Sequence, residues 1–205
     1  MGGNMILFFN KVIGSIIQIV LFGMIPFVWW LVTARKKQKF TQWMGMTKIE
    51  GDRDTLRIMI LGTMVFLVLG ALTLYMLRDI KIATSEFEGL GIQAIPAIIV
   101  YAVFHTAFPE ELLFRGFLLK RLKNKMGFHL ANFIQAFIFG LLHGIMLFGL
   151  IHLMEVILII TFTGVIGWFM GYINEKKSSG SILPGWMIHT VSNLFSGICA
   201  AFSII

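Results

Sequence analysis

Six apolar runs, separated by short clusters of charge, leave this chain few ways to fold. Each is near the roughly 20 residues that carry a helix across the hydrocarbon core of a bilayer. A spanning segment must satisfy its backbone polar groups internally, so the runs predict helices. The chain of 205 residues is 58% hydrophobic and only 13% charged, far from the balance of a soluble domain. The expected fold is therefore all-α: a polytopic integral membrane bundle of about six transmembrane helices. The formal net charge of +7 does not point to nucleic acid, because the basic residues fall between the runs and report topology.

The predicted spans cover about residues 5–32, 58–77, 94–119, 130–148, 153–173 and 182–204. Alternating them puts three basic loops on one side: Arg35 to Arg57, Lys120 to Lys125, and Asn174 to Ser181. Together they hold thirteen of the seventeen Lys and Arg residues, which makes that side cytoplasmic and leaves both termini outside. The first loop, with Trp43 and Met44 among its cations, is expected to lie along the headgroups. The first run has no basic leader and no small-residue cleavage site, so it reads as a retained helix. The whole reads as one membrane domain, 1–205, with two N-terminal spans in 1–93 and a four-helix core in 94–205. The lone cysteine, Cys199, precludes an intrachain disulfide and reads as structural.

Charge inside the apolar runs is where chemistry is to be sought. Glu110, Glu111 and Arg115 lie in the third run, where each charge costs at least about 2.5 kcal/mol to insert. Glu111 and Arg115 are four apart, acid before base, and share a helical face. Glu110 points about 100° away and is left as a carboxylate able to take and return a proton. Pro109 predicts a kink or a restart of the helix beside it. His143 sits mid-span, with Phe139 one turn back on its face and glycines close by. His189 is followed one turn later by Asn193, so two hydrogen-bonding groups share one face. Polar glue between helices explains any one of these, whereas three helices each carrying such a group beside an unpaired glutamate suggest convergence. His105 reads as a core histidine, His129 and His152 as loop residues, Glu155 as a snorkelling carboxylate, and Asn174 and Glu175 as a solvated loop. Gly140 with Gly144, and Gly167 with Gly171, are small-xxx-small pairs that permit close helix approach.

In order, Glu-Glu-x-x-x-Arg at Glu110, Glu111 and Arg115, Phe-x-x-x-His at Phe139 and His143, and His-x-x-x-Asn at His189 and Asn193 resemble the motifs of the CAAX-protease and bacteriocin-processing family of intramembrane proteases, also called Abi or Rce1-like. The resemblance covers about Ala94 to Gly197, and Phe114-Arg115-Gly116 and the run Gly180 to Pro184 fit it too. It implies an intramembrane endopeptidase acting on a lipidated or hydrophobic peptide by an activated water. Glu110 with His143 would hold and deprotonate that water, and His189 and Asn193 would donate to the oxyanion. Glu111 and Arg115 would lock the helix and tune Glu110, while Phe139 would pack beneath His143. The preferred expectation requires no cofactor; the alternative makes Glu110, His143 and His189 the His2Glu ligands of a zinc ion, with Glu111 as a base. The depth of these residues suggests a cavity in the inner half, open to the cytoplasm or laterally to lipid. Partners would be the peptide substrate and membrane lipids, in the cytoplasmic membrane of a prokaryote. A non-enzymatic immunity or regulatory protein is the rival reading, and a proton-coupled transporter a weaker one for want of a repeated broken helix.

Overall fold

The computed structural model describes residues 2–205, and no strand occurs among them. Besides a 3₁₀ turn at Ser85–Phe87, the described residues form seven helices: α1 (Gly2–Thr33), α2 (Phe40–Met44), α3 (Arg53–Met76), α4 (Gly91–Met126), α5 (Phe128–Leu147), α6 (Leu153–Lys177) and α7 (Leu183–Ala201). All but α2 and α7 are long and apolar enough to cross a bilayer. Helix α7 occupies the place of the predicted sixth span, but His189, Thr190, Ser192, Asn193 and Ser196 lower its hydropathy. The chain is thus an integral membrane protein built as a helical bundle. Ile13, Ile16, Val20 and Met24 on α1, and Ile60, Met64 and Val68 on α3, expose apolar side chains to the surroundings, which only a lipid solvent makes favourable over whole helices.

Helix α4 carries most of the polar chemistry and has unusual winding. It starts as a 3₁₀ turn and passes through two π-helical stretches, Tyr101–Ala107 and Leu112–Leu119, on either side of Pro109. The helix neither breaks nor restarts at the proline. The wider turn before it takes up the missing donor, a device found often at functional sites. Helix α1 packs along α4, where Gly14 faces His105: a Cβ at Gly14 would lie 2.8 Å from His105 Nδ1. His105 in turn stacks on Tyr101, with ring centroids 5.8 Å apart. Lys11 of α1 leaves the apolar interior by pairing with Glu86 and lying 5.3 Å from the Tyr101 ring.

The α5–α6 pair is the tightest in the bundle, because Gly140 and Gly144 present no side chain to α6. A Cβ at Gly140 would stand 3.0 Å from the backbone nitrogen of Gly164. On α6, Gly167 and Gly171 leave room for polar groups instead: a Cβ at Gly167 would meet Arg115 Nη2 at 3.1 Å, and one at Gly171 would meet Gln135 Nε2 at 3.1 Å.

The basic end differs from expectation in two places. Helix α6 does not stop at Ile173 but continues, π-wound, to Lys177, so Asn174 and Glu175 are not a solvated loop. Asn174 is fully buried, and Glu175 accepts from Lys120 Nζ at 2.6 Å and Lys123 Nζ at 2.5 Å. Nor does the first basic loop simply lie along headgroups. Its α2 turns Trp43 and Met44 inward, and the Arg121 guanidinium sits 3.8 Å from the Trp43 ring. Gly45, at φ +80°, ends α2 and gives its carbonyl to Ile182 N at 2.9 Å. Asp52 caps α3, accepting from Thr55 N at 2.8 Å and Thr55 Oγ1 at 2.7 Å, and these two bonds hold its carboxyl below the usual aspartate range. At the opposite end, Glu155 accepts from the backbone N–H of His152 at 2.9 Å and closes the first turn of α6.

Candidate active site

Glu111 and Arg115 are both at zero exposure, and Arg115 Nη1 donates to Glu111 Oε1 at 2.8 Å. One turn of helix places them for this pair, and the bare Cα of Gly167 makes the space that the guanidinium fills. Arg115 also lies 4.3 Å from the Phe139 ring centroid, so α5 supplies an aromatic face to the cation. Phe139 is the hub of the cluster: its ring is 4.5 Å from that of His143, 5.9 Å from that of His189 and 5.1 Å from that of Phe114.

The two histidines are oriented by their Nδ1 atoms. His189 Nδ1 lies 3.1 Å from Glu111 Oε1, and since a carboxylate only accepts, this nitrogen is the donor. The other ring nitrogen, Nε2, stands 3.7 Å from Glu110 Oε2. His143 Nδ1 lies 2.8 Å from the Phe139 carbonyl, so it too donates, leaving Nε2 with a lone pair in the neutral ring. Glu110, one-fifth exposed, has an Oε2 with no hydrogen-bond partner among the described residues. Asn193 lies one turn beyond His189, where its Nδ2 donates to Thr106 Oγ1 at 2.6 Å; Thr106 donates on to the Tyr101 carbonyl at 3.1 Å inside the first π-helical stretch. The structure therefore gathers Glu110, Glu111, Arg115, Phe139, His143 and His189 into one cluster, and ties Asn193 to α4 beside it.

Residues 92–195, half of the chain, match the Rce1-like family of type II CAAX prenyl endopeptidases. The chain belongs to this family. No curated protein and no solved structure matches it. Every residue of the cluster lies within the matched segment, and membership in this Rce1-like group of membrane proteases makes peptide hydrolysis its general activity.

Glu110, His143 and His189 are the alternative ligand set for a zinc ion. Among the described residues, no three His, Cys, Asp or Glu side chains stand close enough together to hold a metal ion. Each histidine has Nδ1 engaged and Nε2 free, as a metal ligand would, but the two are not brought together with a third ligand. Glu110, His143 and His189 thus do not converge on one ion.

A cavity of about 190 Å³ opens beside the cluster, lined by Phe139, His143, His189, Asn193 and Ser192, with Phe66, Leu67, Gly70 and Thr73 of α3 as the facing wall. Glu110 is not on this wall; it approaches His189 from α4. The cavity runs along the middle of the bundle, from Met170 and His189 toward Leu74 and Ser196.

Several contributors escaped the sequence reading. Asn132 and Gln135 are fully buried on α5, where Asn132 donates to the Trp168 carbonyl at 2.9 Å and Gln135 to the Gly167 carbonyl at 3.0 Å, fixing the α6 backbone beside Arg115. Asn174 Oδ1 accepts from Gly185 N at 2.8 Å and so anchors the start of α7. Their signal was the same as that of His143, a polar side chain within an apolar run. The α3 wall had no polar signal beyond Thr73.

Proposed function

We propose that this Rce1-like protein hydrolyses a peptide bond of a hydrophobic or lipidated peptide within the membrane, using Glu110 to activate water. The observation that carries the reading is the Glu111–His189–Glu110 contact, which brings helices α4 and α7 together around an ionisable cluster beside a cavity. Glu110 Oε2, without a hydrogen-bond partner among the described residues, is a ready acceptor for a water. As that water attacks the scissile carbonyl carbon, Glu110 takes its proton, and His143 Nε2 accepts its second hydrogen bond. The carbonyl oxygen becomes an oxyanion that accepts from the free N–H of Asn193 and from Nε2–H of His189 in its imidazolium form, whose Nδ1–H stays on Glu111; such a contact is worth about 3 to 4 kcal/mol for a single donor. Glu110 then returns the proton to the amine as the C–N bond breaks, leaving a carboxylate and an amine. Glu111 and Arg115 act by position: the ion pair fixes the carboxylate oxygen that orients the His189 ring. The basic loops face the cytoplasm, and both termini face outside.

The experiment is cleavage of a hydrophobic and a prenylated peptide library by the purified protein in detergent. Wild type is compared with Glu110→Gln, each with and without exhaustive chelation. Cleavage that vanishes in Glu110→Gln and survives chelation is the expected result. Loss on chelation with rescue by zinc would move the chemistry to a metal, and equal cleavage by Glu110→Gln would remove Glu110 from its role.

A further inference from the structure

Asn193 is held by a threonine that none of the sequence motifs includes. Elsewhere in the bundle the helical hydroxyls bond in the ordinary way: Thr63, Thr73, Thr161, Thr163 and Ser192 each donate to the carbonyl four residues back. Thr106 instead donates five back, to the Tyr101 carbonyl at 3.1 Å, because it lies in the π-wound stretch Tyr101–Ala107. The i→i+5 winding widens the turn and changes the direction in which side chains leave it. Phe108 N keeps the same register, bonding to the Val103 carbonyl, and Pro109 follows with no N–H to give.

Helix α7 docks on this stretch at two points. Trp186 Nε1 donates to the Val103 carbonyl at 3.0 Å, and about two turns later Asn193 Nδ2 donates to Thr106 Oγ1 at 2.6 Å. His189 lies between these contacts, so they also set the depth and rotation at which its ring meets Glu111.

The direction of the bonds decides what Asn193 can do. A carbonyl only accepts, so the Thr106 hydroxyl hydrogen is committed to Tyr101 and its oxygen faces Asn193 as an acceptor. The amide must therefore turn its NH2 end to Thr106. One amide hydrogen is held there, and the second stays free on a side chain that lines the cavity with His143 and His189. The two ends of an amide are nearly equal in shape, and without the hydroxyl a half turn of the group would bring its oxygen lone pairs toward an oxyanion.

We infer that Thr106 is a positioning residue for the hydrolysis: aimed by the π-wound turn, its hydroxyl fixes the Asn193 amide so that a donor is kept for the oxyanion. This rests on the protease reading for the task of Asn193 and on geometry alone for the action of Thr106 upon it. A contact that merely glues α4 to α7 would stabilise the bundle without bearing on turnover.

One arm of the test needs no activity. The full-length protein in detergent micelles, labelled with nitrogen-15 asparagine, gives a side-chain NH2 pair of signals for Asn193, assigned by its loss in Asn193→Ala. In wild type one hydrogen of the pair is expected downfield and slow to exchange, and this spectrum decides even where a variant fails to fold. The pair should move in Thr106→Val and stay near its place in Thr106→Ser, which keeps the hydroxyl. The second arm is peptide cleavage: Thr106→Val should lower kcat by about tenfold or more with KM within about twofold, and Thr106→Ser should keep most of the rate. Added to Asn193→Ala, Thr106→Val should lower the rate no further. A wild-type pair with no protected hydrogen, a pair indifferent to Thr106→Val, or an unchanged kcat in Thr106→Val overturns the inference. Should wild type cleave no peptide, the protease reading fails while the amide signals still decide whether Thr106 orients Asn193.

Discussion

Glu111 is the residue on which the cluster turns, because one carboxylate oxygen faces both Arg115 Nη1 and His189 Nδ1. Removing one partner of a fully buried ion pair leaves the other charge uncompensated, so Arg115→Met should destabilise the protein by about 3 to 5 kcal/mol. Glu111→Met combined with Arg115→Met should recover most of that loss, since paired apolar replacements are often neutral, yet remain inactive because His189 has lost its acceptor. Unfolding by sodium dodecyl sulfate in mixed micelles, followed by circular dichroism, reads the first effect and peptide cleavage the second; a double variant no more stable than Arg115→Met would contradict the argument. Gly185 makes a subtler test. A Cβ there would lie 2.8 Å from Glu111 Oε2 and 2.7 Å from Asn174 Nδ2, so Gly185→Ala must push Glu111 aside. Displacements near 1 Å cost on the order of 100-fold in rate, and a kcat/KM loss of at least tenfold with little change in folded yield is expected. The spacing of Glu111 and Arg115 could be read directly, as an i, i+4 pair is a local property of a helix. That Glu111 also serves His189, 78 residues later, depends on how α4 and α7 cross, and no local pattern encodes it.

Among the elements, glycines and caps decide how closely the helices meet. Gly140 lies against the α6 backbone, which cannot give way as a flexible side chain can. Gly140→Ala should therefore cost about 1 to 3 kcal/mol, the usual penalty of overpacking. Gly23→Ala on α1, with open space where its Cβ would go, should be neutral or stabilise by up to about 1 kcal/mol, and equal behaviour of the two in micellar unfolding would show the α5–α6 contact to be looser than described. The first turn of α3 carries a pH dependence. Thr55 lowers the Asp52 carboxyl in the folded chain, so the cap's contribution is present above the ordinary aspartate value of 3.8 and fades as pH falls through the depressed one. Amide exchange over Arg53 to Arg57, measured against Asp52→Asn at each pH, should show protection lost in wild type only in acid, and an identical profile in both would sink the assignment. The small-xxx-small pairs could be seen in the sequence, but not that Gly140 and Gly144 serve helix approach while Gly167 and Gly171 house Arg115, Asn132 and Gln135. The partners of a missing side chain are set by tertiary packing. The continuation of α6 past Ile173 was hidden for the converse reason: Asn174 and Glu175 look solvated until the cations of α4 and the start of α7 are placed over them.

At the scale of the molecule, the family match begins at residue 92, yet the site does not end there. Phe66, Leu67, Gly70 and Thr73 of α3 form one side of the cavity, and α1 covers the first half of α4 through Gly14, Lys11 and the Asn4–Gln93 bond. A chain starting at Gly91 would expose His105, whose Nδ1 lacks a partner among the described residues, and would leave Phe139 and Met170 facing lipid where Phe66 now packs. The two N-terminal spans, which carry no motif, are thus structural members of the catalytic half. Expressed alone, residues 91–205 should give little monodisperse protein on fluorescence-detected size exclusion and no peptide cleavage. Co-expression with residues 1–82 should restore both, because the contacts between the halves are lateral helix packing that separate segments can form in a bilayer. If 91–205 alone were folded and active, α3 would be dispensable as a cavity wall.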